Sequence, residues 1–372
     1  MKDDKGFVTL KRFSSIQAQY YILYGERSNG KTTAVLDEAC LTDAWNTLYE
    51  ERTREFVIIR RFGVDIVGNR VNDFFKSINS RGVVKKLTKG EYDRVIVEKK
   101  TFYFYSSETE TKSKPIGYVI ALTDMEHDKG RNFPDVKNVL FDEFITHTYY
   151  LPNEFELFTN TLSTIVRLED DVKIYMCGNT VNRYSLYFRE MQLKGIKKQK
   201  QGTIDVYNIQ DAHDAKIKTT IAVYYTDSLA KGAKKSNIYF AFNSPKVNMI
   251  KNGAWEVGMY PHLPIRYMES QIIFNYFIRF DDDIFHCEII KTPKGAFTYI
   301  HEKTTPIRND NDIVFDLNVY DLSPYHNRNM LRCEKPFVSK LLYFFDNDLV
   351  FYQDNLVGNA IDNYFKQCRR GA

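Results

Sequence analysis

The stretch Gly25-Glu26-Arg27-Ser28-Asn29-Gly30-Lys31-Thr32 satisfies G-x-x-x-x-G-K-[ST] at every position and constrains this chain more than any other feature. It follows a short apolar run, Tyr20-Tyr-Ile-Leu-Tyr24. It precedes a segment with Ala34, Leu36, Ala39, Ala44 and Leu48 at helical spacing. A strand, a glycine-rich turn and a helix in that order are what a phosphate-binding loop requires. Gly25 and Gly30 let the backbone turn so that successive N–H groups point at phosphate oxygens. Glu26, Arg27, Ser28 and Asn29 lie between them, with Thr33 just beyond. Lys31 is expected to reach the β- and γ-phosphates and Thr32 to place its hydroxyl on Mg²⁺. ATP and Mg²⁺ are therefore the expected cofactors, although such a loop reads phosphates and leaves GTP open.

Two further strand ends belong with this loop. Val139-Leu-Phe-Asp142-Glu143 is an apolar run ending in acid, so Asp142 is expected to hold Mg²⁺. Glu143, one position beyond, is placed to polarise an attacking water, which makes hydrolysis the expected reaction. Ile174-Tyr-Met-Cys177 ends at Gly178-Asn179-Thr180, where Asn179 is a candidate γ-phosphate sensor. A turn or helix cap is the competing account of Asn179. Arg60 and Arg61 close another β-branched run, either near the nucleotide or in surface ion pairs.

With 372 residues, two domains are expected. Strands alternate with helical segments up to about residue 209, which implies an α/β domain: a P-loop NTPase with a mostly parallel sheet covered by helices. Residues 210–246 have helix-like spacing, read as a helical linker. Residues 247–372 contain three strand-like runs in a meander, followed by helical segments, and read as a smaller α+β domain. The 26 Tyr and 27 Phe are expected mainly in cores and strand pairs. No apolar run approaches the roughly 18–20 residues needed to span a bilayer, so no membrane partner is expected. The charged amino terminus leads into no apolar run, and an intracellular site is expected. Five cysteines without a C-x-x-C pair read as reduced thiols. The net charge of +4 announces no nucleic-acid binder by itself.

Taken together, the phosphate loop, Val57-Ile-Ile-Arg-Arg61, Lys129-Gly-Arg-Asn-Phe-Pro134, Phe141-Asp-Glu-Phe-Ile145, Tyr150-Leu-Pro-Asn-Glu154 and Val166-Arg167 resemble the DNA-packaging ATPases of small tailed phages of the phi twenty-nine type. The resemblance covers roughly residues 18–185. It implies an additional-strand P-loop motor of the FtsK/HerA and terminase kind, working as a homo-oligomeric ring, a pentamer in the family. The partners it implies are double-stranded DNA and the capsid portal, with or without a packaging RNA. The implied location is the host cytoplasm, transiently at the portal vertex of the procapsid. It also implies a trans-acting arginine finger at Arg167 and a trans-acting lysine at Lys129. Leu168-Glu-Asp-Asp171 is acidic where the family can be basic, which puts a neighbouring auxiliary arginine in doubt. The family's C-terminal domain resembles a degenerate RNase H-like nuclease, vestigial and turned to nucleic-acid or portal binding.

Two alternatives stay open at this point. One is a terminase-like or helicase-like ATPase with an active C-terminal nuclease, and the other is a nucleotide-binding assembly factor without turnover. Asp281-Asp-Asp283 could supply nuclease ligands, but adjacent residues of a strand alternate faces, and a hairpin turn suits them better. Two lysine clusters, Lys194, Lys197, Lys198 and Lys200, then Lys231, Lys234 and Lys235, are candidate DNA contacts or plain solvated faces.

Overall fold

A wholly apolar strand needs cover on both faces, and the apolar runs of this chain meet that need at the centre of one parallel sheet. The computed structural model describes residues 7–13, 15–27, 29–125, 133–146, 150–167, 169–179, 184–210, 218–227, 258–263, 265–281, 283–307, 311–317, 325–327 and 329–370. They divide into two units, Met1–Glu256 and Val257–Ala372.

In the first unit the strands are β1 Tyr20–Gly25, β2 Glu55–Arg60, β3 Arg94–Glu98, β4 Thr101–Ser106, β5 Thr111–Lys112, β6 Gly117–Ala121, β7 Val136–Asp142, β8 Lys173–Asn179, β9 Ile204–Gln210 and β10 Lys218–Tyr225. They lie in the order β3-β4-β6-β2-β7-β8-β1-β10-β9, with β5 on β4. Every neighbouring pair from β6 to β10 is parallel. The antiparallel pairs are at the margins. Alternate residues of β1 enter opposite cores, Tyr21 and Leu23 one, Ile22 and Tyr24 the other.

The first core is covered by α1 Lys31–Val35, which continues through a π-helical stretch, Leu36–Leu41, into α2 Thr42–Asn46, and by α3 Arg70–Ser80 and α4 Val83–Leu87. The second is covered by α5 Glu154–Val166 and α6 Leu186–Glu190. The aromatic residues fill these cores as expected. Tyr187, fully buried, meets Phe141, Phe144, Phe155 and Phe158 edge-on.

The helical linker expected over 210–246 is corrected where it is described. Residues 218–225 are β10, which pairs with β1 and forms a hairpin partner of β9, so the sheet extends past the expected boundary at 209. Lys-Thr-Thr-Ile-Ala-Val-Tyr-Tyr is rich in β-branched and aromatic residues. Its last five residues are buried on both faces, so the period-2 alternation that would mark a half-exposed strand is missing. Residues 211–217 and 228–246 lie outside the described residues.

The second unit has β11 Ile272–Phe280, β12 Asp283–Thr292, β13 Gly295–Glu302, β14 Val314–Asp316, β15 His326–Asn327 and β16 Val350–Tyr352, in the order β15-β14-β11-β12-β13-β16. β11, β12 and β13 form an antiparallel meander, and β14 runs parallel to β11. α7 Pro336–Asp346 and α8 Asn355–Arg370 complete it, and α8 packs on β11, β13 and β16, with its Tyr364 edge-on to Phe280 of β11. Phe280 pairs with Asp283 across the meander's first turn, and Asp281 there has φ 53°. That is the left-handed geometry of a two-residue hairpin, which Asp tolerates. Among the described residues no helix is long and apolar enough to cross a membrane.

Candidate functional site

The phosphate loop leaves β1 at Gly25 and enters α1 at Lys31. Gly30 has φ 87°, where any side chain would be strained. Gly25 is required by crowding, since a Cβ there would lie 2.0 Å from Thr226 Oγ1. Thr226 follows β10 directly and is fully buried. Its hydroxyl donates to Tyr24 O at 3.1 Å and accepts from Asn29 Nδ2 at 2.7 Å, which fixes the loop's interior residue.

Asn29 Oδ1 in turn accepts from Lys31 Nζ at 3.0 Å, as do Glu26 O at 2.5 Å and Asn179 Oδ1 at 3.2 Å. All of these acceptors are neutral oxygens, and among the described residues no carboxylate bonds the Lys31 ammonium. Burial accordingly lowers the Lys31 pKa to about 8. A buried cation held by neutral acceptors at the amino end of a helix is suited to an anion.

Next to it, Thr32 Oγ1 donates to Asp142 Oδ1 at 2.7 Å. Burial pushes the Asp142 carboxyl up, against the pull of Arg60, whose Nη1 donates to Oδ2 at 2.8 Å. The hydroxyl and the carboxylate together are the hard oxygen ligands that Mg²⁺ takes, so the residues present fit Mg²⁺ beside a nucleotide's phosphates. Asn29, Gly30, Lys31, Thr32, Thr33, Asp142, Glu143, Cys177, Gly178 and Asn179 line one cavity of about 220 Å³.

Glu143 sits at the cavity's edge with φ 60°, a conformation that costs about 1–3 kcal/mol in a residue with a side chain. Arg61 holds it there. Its Nη1 and Nη2 donate to the carbonyls of Glu143 and Phe144 at 3.1 and 2.9 Å, and its Nε to Glu154 Oε2 at 2.8 Å. Glu154, at the start of α5, has no exposure and also accepts from Tyr187 OH and Leu151 N. The turn after Glu143 lays Phe144 and Ile145 over Gly178, where a Cβ would meet them at 2.8 and 2.9 Å. Gly178 is therefore small because another strand's exit loop crosses it. The Glu143 carboxylate is bonded by Arg60 Nη2 at 2.7 Å.

The structure thus brings Gly25, Glu26, Asn29, Gly30, Lys31, Thr32, Thr33, Asp142, Glu143 and Asn179 to one place, while the Arg27 side chain is exposed. Arg167 follows α5 as its C-cap with φ 49° and ψ −112°, exposed, with no side-chain bond among the described residues, and it is not among the residues lining the cavity. Ser28, Lys129, Thr180, Asp282 and the cluster Lys231, Lys234 and Lys235 lie outside the described residues. Sequence reasoning missed Thr226 and the buried Arg61–Glu154 pair. The available signal was a threonine directly after an apolar run for the first and a glutamate opening a helix for the second.

A family model described as Podovirus DNA encapsidation protein (Gp16) matches residues 13–228. The DNA packaging protein of Bacillus phage phi29 is 24% identical over 137 residues, 36% of this chain and 36% of that protein. The chain thus aligns with about a third of the length of the curated relatives it matches. In the structure described as "The bacteriophage Phi-29 viral genome packaging motor assembly", a chain is similar with a TM-score of 0.57 and 18% identity, covering 98% of this chain and 100% of that one. "The Phi-28 gp11 DNA packaging Motor" gives a TM-score of 0.54 and 19% identity, covering 98% and 97%. At these identities the likeness is one of fold.

Proposed function

The chain belongs to the Podovirus DNA encapsidation protein (Gp16) family, and from that premise and the site we propose that it is an ATP-hydrolysing motor that moves double-stranded DNA through a portal into a preformed capsid. The observation that carries the reading is the buried Lys31 ammonium, held by neutral oxygens beside the Thr32–Asp142 pair. Bound MgATP supplies the phosphoanhydride to be cleaved and a metal that neutralises charge on the phosphates. Lys31 donates to phosphate oxygens, and Thr32 and Asp142 hold Mg²⁺. Glu143, once Arg60 turns from it, takes the proton of the attacking water. Asn179 trades its bond to Lys31 for a phosphate contact and reports hydrolysis. Arg167, exposed at a strained helix end, reaches a neighbouring subunit's site as the arginine finger, and Lys129 acts in trans with it.

The ATPase domain in this proposal runs through β10 and Thr226, and residues 247–372 form a vestigial nuclease-like domain that binds DNA, portal or packaging RNA. Its six-stranded sheet, a three-stranded meander with β14 and β15 added in parallel beside β11 and β16 in parallel beside β13, supports the nuclease likeness. The loss of cutting is supported by Arg279, which bonds Asp316 at 3.3 Å where two adjacent strands end. A two-metal nuclease needs convergent acids free of such a cation.

Steady-state ATP hydrolysis across a protein concentration series, with and without blunt double-stranded DNA, tests the motor. Turnover per subunit should rise with both. Nucleotide binding without turnover would overturn hydrolysis, and flat, DNA-indifferent turnover would overturn the ring translocase.

A further inference from the structure

On the face of the second unit's sheet opposite α8, three side chains converge that the proposed motor does not use. His286 and Glu288 are two apart on β12 and so share a face, and His301 on β13 is the cross-strand partner of His286. His286 Nδ1 and His301 Nε2 each lie 3.8 Å from Glu288 Oε1, and the three ligand atoms are all within 4.8 Å of one another.

The outer atoms of the three groups are already committed. His286 Nε2 is 2.9 Å from Asn275 Oδ1, and His301 Nδ1 is 3.2 Å from the Glu302 carbonyl oxygen. Both acceptors take an N–H from the ring nitrogen they face, so the other nitrogen of each ring meets the same carboxylate oxygen as a lone pair in the neutral ring and as a second N–H in the protonated one. Tyr267 OH donates to the remaining oxygen of Glu288. Two neutral imidazoles would aim lone pairs at an anionic oxygen and repel it, so a proton or a metal cation has to sit among them. Outer hydrogen bonds that fix tautomer and ring orientation are the support that metal-binding histidines carry.

We propose that His286, Glu288 and His301 form a binding site for a divalent transition-metal ion of the zinc type. Two imidazole nitrogens and one carboxylate oxygen match zinc's ligand preferences, while Mg²⁺ and Ca²⁺ prefer all-oxygen sets. At zinc bond lengths of about 2.0–2.1 Å, tetrahedral ligands stand about 3.4 Å apart, so the two 3.8 Å separations need to close by less than half an ångström and the imidazole–imidazole separation, within 4.8 Å, by at most about 1.4 Å. The imidazoles remain partly exposed, at 21% and 27%, so a fourth position is open to water or an exogenous ligand. Phe277 stacks on His286 and Tyr299 on His301, walling the sides.

The test is titration of the full-length, nucleotide-free protein with CoCl₂ and then ZnCl₂. One equivalent of Co²⁺ should give the intense visible absorption of a four- or five-coordinate ion, and Zn²⁺ should displace it. His301→Gln and Glu288→Gln should weaken binding about 100-fold or more, since loss of outer-shell partners alone costs about 10–100-fold. Asp142→Asn should leave the spectrum intact. X-ray absorption of the zinc-loaded wild-type protein should read two imidazoles, a result independent of how the variants fold. Absence of the cobalt spectrum, its survival in His301→Gln, or an all-oxygen zinc shell would overturn the proposal and leave a proton shared between His301 and Glu288 as the occupant.

Discussion

Burying the Lys31 ammonium lowers its pKa to about 8 in the folded chain, from 10.5 in water. Below pH 8 the group is protonated in both states and the fold bears the whole desolvation cost. As pH rises from 8 to 10.5 the unfolded chain binds the extra proton, so stability contributed at this position rises through that window and is level above it. Measured by urea unfolding without nucleotide, wild type should gain on Lys31→Met by up to about 3 kcal/mol between pH 7 and pH 10.5. A difference independent of pH would show that the ammonium is not desolvated. In the proposed motor Lys31→Met should also abolish hydrolysis at every pH, because there the charge that costs stability is the one that meets the phosphates.

At the scale of elements, strand exits lock one another. β7 ends at Asp142, and the strained turn at Glu143 is held by Arg61, which follows β2, itself held by Glu154 at the start of α5. Removing one partner of a buried ion pair leaves the other uncompensated, so Glu154→Leu should cost about 3–5 kcal/mol in urea unfolding. The double variant Arg61→Met/Glu154→Leu should cost less than the two single changes added together, and strict additivity would show that the pair does not act as one. β10 locks the phosphate loop in the same manner. Gly25→Ala should destabilise the chain by several kcal/mol through its clash with Thr226 Oγ1, and adding Thr226→Ala should recover part of the loss. Thermal unfolding of the three variants reads this, and no recovery would place the strain elsewhere.

At the scale of the molecule, the proposed motor needs a residue that one subunit delivers to another. Arg167 is exposed, and its side chain has no bond among the described residues. Arg167→Ala and Glu143→Gln should each be inactive alone. Mixed, they should regain a measurable fraction of wild-type turnover, because some interfaces then join an intact finger to an intact base. Mixtures as inactive as the parents would remove the trans role.

The phosphate loop, the helical spacing that follows it and the acid-ended run through Asp142 were legible in the sequence because each is local: a spacing, a period, a strand end. Asn179 was legible only as one of two readings, and its 3.2 Å approach to Lys31 comes from β8 lying beside β1. β10 was misread because a strand buried on both faces has no alternation to show. Its place beside β1 makes Thr226 part of the loop, bonded to Asn29 197 positions earlier, a contact no local pattern carries. The His286, Glu288 and His301 cluster was invisible for the same reason, since it depends on strand register across a hairpin. The sequence by itself determined which chemistry the loop can do. The tertiary structure decided which distant side chains hold that loop and the Glu143 turn in place, because strand order and register, not spacing along the chain, set who meets whom.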